Sequence, residues 1–227
     1  DRKVIMVGNR EYEDVLCEHK MKYNIAQKNS NYCELTAIYA LHRNTHDSFY
    51  GIEHYRRYFC DIDGKPISLN KCSKIVEQGK VILPIKCSMV PNNFINYSMH
   101  HYERDLEVVR DIIIEDYREY FDSFECVMFS NELSCYNMWI CNAETFHSYC
   151  TWLFEILDKC EKRIELSKYS SYQARVFGFI SERLLNVWVK KNIPKNDIVY
   201  REVGQTNATP RSNAVVFMRT VKANAIK

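Results

Sequence analysis

The chain is poor in residues that interrupt regular structure. Glycine occurs six times and proline five times among 227 residues, which excludes a linker-rich or disordered chain. No apolar run approaches the roughly 18 residues of a membrane-spanning helix, and no signal-peptide pattern is present. Net charge is nearly absent. The 31 Lys and Arg against 29 Asp and Glu leave +2, so there is no electrostatic case for nucleic acid as a partner. Ten cysteines are present, yet no C-x-x-C pair occurs, and structural zinc sites usually show such close pairs. Several of these evenly spread thiols fall inside apolar helical patterns. They read as small buried hydrophobes of a reducing, cytosolic setting.

What is present suits a folded domain. Hydrophobic residues make up 46% and charged residues 26%, and the length fits one domain. "KVIMVG", "SFYGIE", "KVILPI" and "CYNMWIC" read as strands. Between them lie helical patterns: "NSNYCELTAIYALHRN" with Asn31 as N-cap and Glu34 at capping-box spacing, a long helix over 97–121, one after the cap Asn142, and one over 171–190. Strands alternating with helices predict a single α/β domain, Rossmann-type, with a mostly parallel sheet flanked by helices. Such sheets bind ligands at the carboxyl ends of their strands. Residues 204–227 have weak periodicity and read as a C-terminal tail. It is either a loosely packed terminus or a peripheral membrane contact.

The chemistry concentrates in "EHYRRYFCDID". Arg56 and Arg57 follow a buried strand, where a core cannot hold them unpaired. Arginine presents a planar fork suited to phosphate or carboxylate, and Tyr55, Tyr58 and Phe59 can stack on a base or sugar. The same letters also fit arginines paired with Asp61 and Asp63. "DID" matches the D-x-D of metal-dependent nucleotide-sugar transferases, but it lies beyond the basic loop rather than at the strand end. If the arginines neutralise a diphosphate, no metal is required, and a divalent cation such as Mn2+ or Mg2+ is optional. His101 and Asp105 are i,i+4 neighbours on a helix, either a base with its orienting carboxylate or a solvated surface pair. Arg175 and Glu182 stand two helical turns apart around Gly178, and a carboxylate there can act as base for an acceptor hydroxyl. An outward-facing helix surface explains them too. Asn137 ends a strand with an amide able to bond sugar hydroxyls.

Taken together, "YNIAQKNSNYCELTAIYA", "GIEHYRRYF", "NMWICNAETFHSYCTWLFEIL" and "YQARVFGFISERLLNVWV" resemble a bacterial family first catalogued as a domain of unknown function. Its members occur in capsular and exopolysaccharide gene clusters and are regarded as glycosyltransferases with a GT-A-like fold. The resemblance covers roughly residues 4–193. It implies transfer of a hexose, often galactose, from a UDP-sugar to a glycan or lipid-linked glycan, in the cytoplasm or at the inner face of its membrane. Matched positions assign donor binding to Asn29, His54, Tyr55, Arg56 and Arg57. They assign acceptor or sugar binding to His101, Asn137, Arg175 and Arg183, and catalysis to Glu182 or Asp105. Family members usually open with a strand like "IYVATHK", which is missing here. Residues 1–203 would then be the transferase-like domain without its first strand. The alternative is a non-catalytic module that binds a nucleotide-sugar or glycan.

Overall fold

A computed structural model describes residues 2–207 and 213–225. Strands β1 (Ile5–Met6) and β2 (Leu16–Cys17) form a short parallel pair. Helices α1 (Asn29–Tyr32) and α2 (Leu35–Asn44) lead to β3 (Phe49–Ile52) and β4 (Arg57–Phe59). Helix α3 (Leu69–Val76) connects to β5 (Val81–Pro84), and β6 (Cys87–Ser88) follows. Helices α4 (Asn93–Ser98), α5 (Glu103–Asp116) and α6 (Phe121–Met128) precede β7 (Glu132–Leu133) and β8 (Trp139–Asn142). Two long helices, α7 (Ala143–Arg163) and α8 (Val176–Asn192), bring the chain to β9 (Ile198–Arg201), β10 (Val203–Gln205) and α9 (Asn213–Ala225).

The central sheet has the order β3-β8-β5-β9. Strands β3, β5 and β9 run in one direction, as strand–helix alternation predicts. Strand β8 is inserted between β3 and β5 in the opposite sense, pairing Tyr50 with Cys141 and Ile82 with Ile140. Within this sheet only β5 and β9 form a parallel ladder. The expected mostly parallel sheet is therefore a mixed one, within an α/β domain whose central sheet is flanked by helices. The cause lies in the route to β8. The β6–β7 ladder returns the chain to the carboxyl end of β5, where the Ser134 hydroxyl donates to Pro84 O at 2.8 Å. From that end β8 can only run backwards.

Alternation along the strands divides the core. Val81, Leu83, Trp139 and Cys141 face the larger core, built mainly with α2 and α5 to α8. Ile82 and Ile140 face a smaller one with Phe59, Ile67, Cys72 and Val76. Most cysteines are buried, and none forms a disulfide, in keeping with their reading as small hydrophobes.

Other expectations need local correction. The helix over 97–121 is broken after Ser98, because Tyr102 is extended and opens α5 as its N-cap. The helix expected from Asn31 breaks at Cys33, whose φ is 53°. Asn31 instead donates to Ala174 O at 2.8 Å. "CYNMWIC" becomes strand only at Trp139. The cap Asn142 holds as expected, its Oδ1 accepting the Thr145 N–H at 2.8 Å. The tail expected from Gly204 begins inside β10, which pairs with β4 through Gly204 and Tyr58. Helix α9 covers the β9 edge, where the Asn224 side chain bonds both backbone groups of Tyr200.

Asn93 ties the helices to this frame. Its fully buried amide donates to Val127 O, Ser130 O and Glu132 O at 2.8, 3.0 and 3.0 Å. Asn93→Ala leaves those carbonyls short of a partner and is expected to cost about 3 kcal/mol. Chemical denaturation checks this, and a loss below roughly 1 kcal/mol would refute the assignment.

Candidate active site

The "HYRR" string is the tip of a hairpin. His54 and Arg57 exchange both backbone hydrogen bonds at 3.1 Å, so Tyr55 and Arg56 form a two-residue turn. Side chains on opposite sides of such a turn part company. Arg56 projects to solvent over the Tyr55 ring, 4.8 Å from its centroid, and Tyr55 is 81% exposed. Arg57 points inward over the Tyr136 ring at 4.3 Å, and its buried Nε has no hydrogen-bond partner among the described residues. His54 Nε2 donates to Tyr136 O at 2.5 Å.

Tyr136 and Asn137 both occupy positive φ, 79° and 51°, a costly conformation for residues other than glycine, though asparagine tolerates it best. Three contacts with α8 hold the turn. The Tyr136 N–H donates to Glu182 Oε1 at 3.2 Å, while Asn137 Nδ2 reaches Ser181 Oγ at 2.9 Å and Gly178 O at 3.3 Å. The same Nδ2 donates to Glu34 Oε1 at 2.7 Å. One turn therefore grips two carboxylates, Glu182 through its backbone and Glu34 through a side chain. Asn137 Oδ1 is buried without a described partner. Cys33, also at positive φ, lies against Gly178 and accepts from Arg175 Nε at 3.2 Å. A Cβ on Gly178 would meet Cys33 Sγ at 3.3 Å, so glycine there permits the approach of α1 to α8.

The remaining sequence-derived residues are distributed unevenly around this centre. Asn29 stands at the start of α1, its Nδ2 donating to Cys33 O at 2.8 Å. It lines a cleft of about 380 Å³ with Gly8, Asn9, Arg10 and Gln27. Arg183 is buried, donates to Phe179 O at 3.1 Å and stands 3.5 Å from Glu182. Arg175 is exposed beside Cys33. Asn137 precedes its strand rather than ending it.

The expected His101–Asp105 pair is not formed. His101 lies in the turn before α5 and contacts Gln173 Oε1 at 3.0 Å. Asp105 is buried and accepts from the hydroxyls of Tyr97 and Tyr169 at 3.2 and 2.6 Å. The helix break at Tyr102 removes the i,i+4 geometry on which the pairing rested. Asp61 is held by Lys71 and by the Ile62 N–H, and Asp63 by the Lys65 N–H, so "DID" builds a turn. Among the described residues, no group of three or more His, Cys, Asp or Glu could hold a metal ion.

Residues 3–193 match the family described as domain of unknown function DUF4422. The chain belongs to that family. No curated protein matches it in sequence. Among solved structures it is similar to the apo structure of the bifunctional glycosyltransferase WbbM, with a TM-score of 0.79 and 26% identity. The similarity covers 92% of this chain and 43% of the WbbM chain. The chain thus spans less than half the length of the protein it matches. Its mixed sheet and flanking helices are those of a glycosyltransferase fold.

Sequence reasoning did not place Glu34 and Tyr136 at the site, where they contact Asn137 and Glu182. Glu34 reads as a helix-capping acid, and Tyr136 reads as part of a strand. Glu34 lies within the quoted family-like segment "YNIAQKNSNYCELTAIYA", whereas Tyr136 lies outside the segments that carry the resemblance.

Electrostatics set Glu182 apart. Burial raises its pKa above the ordinary carboxyl range; Arg183 opposes that rise and Glu34 adds to it. About a quarter of the side chain, 26%, remains open to solvent, so it can still meet a ligand. The native state holds this proton to higher pH than the unfolded chain does. Stability is therefore lost as pH rises from the ordinary carboxyl range through the folded pKa, and the loss persists above it. Glu182→Gln is expected to melt higher than wild type at about pH 8, with the difference vanishing towards about pH 4. Thermal unfolding at both values checks this, and an unchanged or lower melting temperature at the higher pH would contradict it.

Proposed function

We propose that this chain is a glycosyltransferase moving a hexose, galactose favoured, from a UDP-sugar to a glycan or lipid-linked glycan of bacterial surface polysaccharide. One observation carries the reading. A buried guanidinium nitrogen of Arg57 and a buried amide oxygen of Asn137, both without described partners, stand beside the Glu34–Glu182 pair. Buried polar groups are normally satisfied, so an unpaired donor and acceptor at one centre suit a polar ligand. The similarity to WbbM supports the same class of reaction.

In this reading the nucleotide enters the cleft lined by Gly8 and Asn29, and Arg57 meets its diphosphate. Glu182 takes the proton of an acceptor hydroxyl as that oxygen bonds to the anomeric carbon. The bond from that carbon to the diphosphate oxygen breaks, and UDP leaves with the electron pair. Arg57 compensates the charge that develops there, the dominant task in such reactions. Burial suits Glu182 to the work by bringing a carboxyl group closer to neutral pH. Arg56 and Tyr55, on the exposed tip, serve as the outer rim of the donor site. Asp105 acts as a positioning anchor for α5. No cofactor is required, Mn2+ or Mg2+ being optional, and the reaction takes place at the cytoplasmic face of the membrane.

Calorimetric titration with UDP-galactose and other UDP-sugars, with and without Mn2+, tests donor binding. Arg57→Ala is expected to weaken it at least tenfold and Arg56→Ala to weaken it less. Glu182→Gln is expected to keep donor affinity while turnover, read as UDP release, falls on the order of 10²-fold or more. Near-normal turnover in Glu182→Gln would remove it as base. Binding without turnover in wild type, across the panel, would favour the non-catalytic module.

A further inference from the structure

One stripe of α8 and the turn before it carries more than Glu182. Arg175, Phe179 and Glu182 recur at i, i+4 and i+7, the spacing of a single helical face, and Tyr172 stands three residues earlier. Tyr172 is 54% exposed, yet its ring is backed from behind. His101 stacks on Phe179 with centroids 3.9 Å apart, and Tyr172 packs against both, 5.9 Å from His101 and 5.4 Å from Phe179. The Arg175 guanidinium lies 5.6 Å from the Phe179 centroid and 6.0 Å from that of Tyr172.

The hydrogen bonds behind the rings fix their polarity. Gln173 Nε2 donates to His100 O at 2.8 Å, which turns Gln173 Oε1 towards His101 Nδ1 as an acceptor. The proton of His101 therefore sits on Nδ1. Burial lowers the imidazole pKa, with the Gln173 bond opposing. The ring is thus neutral at physiological pH and offers Nε2 as an acceptor, with no partner among the described residues.

We propose that Tyr172, His101 and Arg175 form a subsite for the acceptor glycan, distal to the carboxylate pair. A sugar ring lays its C–H face on Tyr172 and one of its hydroxyls accepts from Arg175, while His101 and Phe179 hold the Tyr172 ring from behind. The subsite rests on the glycosyltransferase reading, and it adds a length requirement. Val176 to Glu182 spans roughly 9 Å at helical rise, and Tyr172 lies before α8 begins. A sugar reacting at Glu182 does not reach Tyr172, whereas the preceding units of a longer acceptor do. The donor cleft lies by Gly8 and Asn29 at the start of the single-turn helix α1.

The test is calorimetric or saturation-transfer NMR titration of galactose-, glucose- and N-acetylglucosamine-based saccharides of one to four units, with UDP-galactose titrated in parallel. Wild type, Tyr172→Ala and Tyr172→Phe are compared. Tyr172 is exposed, so neither variant threatens the core. Wild type is expected to bind oligosaccharides more tightly than monosaccharides. Tyr172→Ala should lose roughly tenfold in oligosaccharide affinity, the scale of one aromatic contact. Tyr172→Phe should retain that affinity, and UDP-galactose should bind all three proteins equally. The proposal is overturned if no oligosaccharide binds wild type, if Tyr172→Ala binds oligosaccharides as well as wild type does, or if the loss falls on UDP-galactose instead. Failure of the glycosyltransferase reading looks different: no UDP-sugar is bound or turned over, whatever the glycan titration gives.

Discussion

Everything at the candidate site depends on the left-handed turn at Tyr136–Asn137. Two consecutive residues there hold positive φ without being glycine, a strain on the order of 1–3 kcal/mol each. The turn persists because its surroundings over-determine it. Asn186 bonds both backbone groups of Ser134, Glu182 accepts from Tyr136, and Ser181 and Gly178 accept from Asn137. All four residues lie along one side of α8, so a rigid helix acts as the template. The strained turn in turn sets the spacing of the two carboxylates, anchors His54, and provides the ring under Arg57. Removing the turn would leave these four site residues without a common reference.

Local physics made much of the fold legible. Helical periodicity located α2, α7 and α8. The N-cap chemistry of Asn142 and the apolar runs at β3 and β5 matched their elements. Long-range choices were not legible. "CYNMWIC" has strand composition, and nothing in single letters announces that Tyr136 and Asn137 turn left-handed. The antiparallel insertion of β8 follows from where the β6–β7 ladder returns the chain, which is a tertiary fact. Glu34 meets Asn137 across a wide gap in sequence, so its place in the site had no local signature. The His101–Asp105 pairing failed for a related reason: an i,i+4 argument presumes an unbroken helix, and the chain is extended at Tyr102.

Charge at the centre works against stability. Glu182 and Glu34 repel one another, and Arg183, the guanidinium nearest to Glu182, is itself buried with Nε unpartnered. A domain optimised only for folding would replace such a cluster with apolar side chains. The adjacent aromatic stack behaves in the opposite way. Its rings support one another and Gln173 fixes the imidazole, so a surface open to solvent is already ordered before anything binds.

The pairing of β10 with β4 has a consequence for biosynthesis. The basic hairpin precedes β10 by far in the sequence, but Gly204 and Gln205 close its outer edge, and Thr206 N–H bonds Arg56 O. A Cβ at Gly204 would lie 2.6 Å from the Tyr58 ring, so the two segments fit only in this register. During ribosomal synthesis the hairpin therefore emerges before its partner and waits as an open edge strand until β10 has been made. Non-local closures of this kind are late steps, and an unpaired edge is open to pairing with other chains meanwhile. The hairpin that carries the arginines thus acquires its final form only after β10 is made.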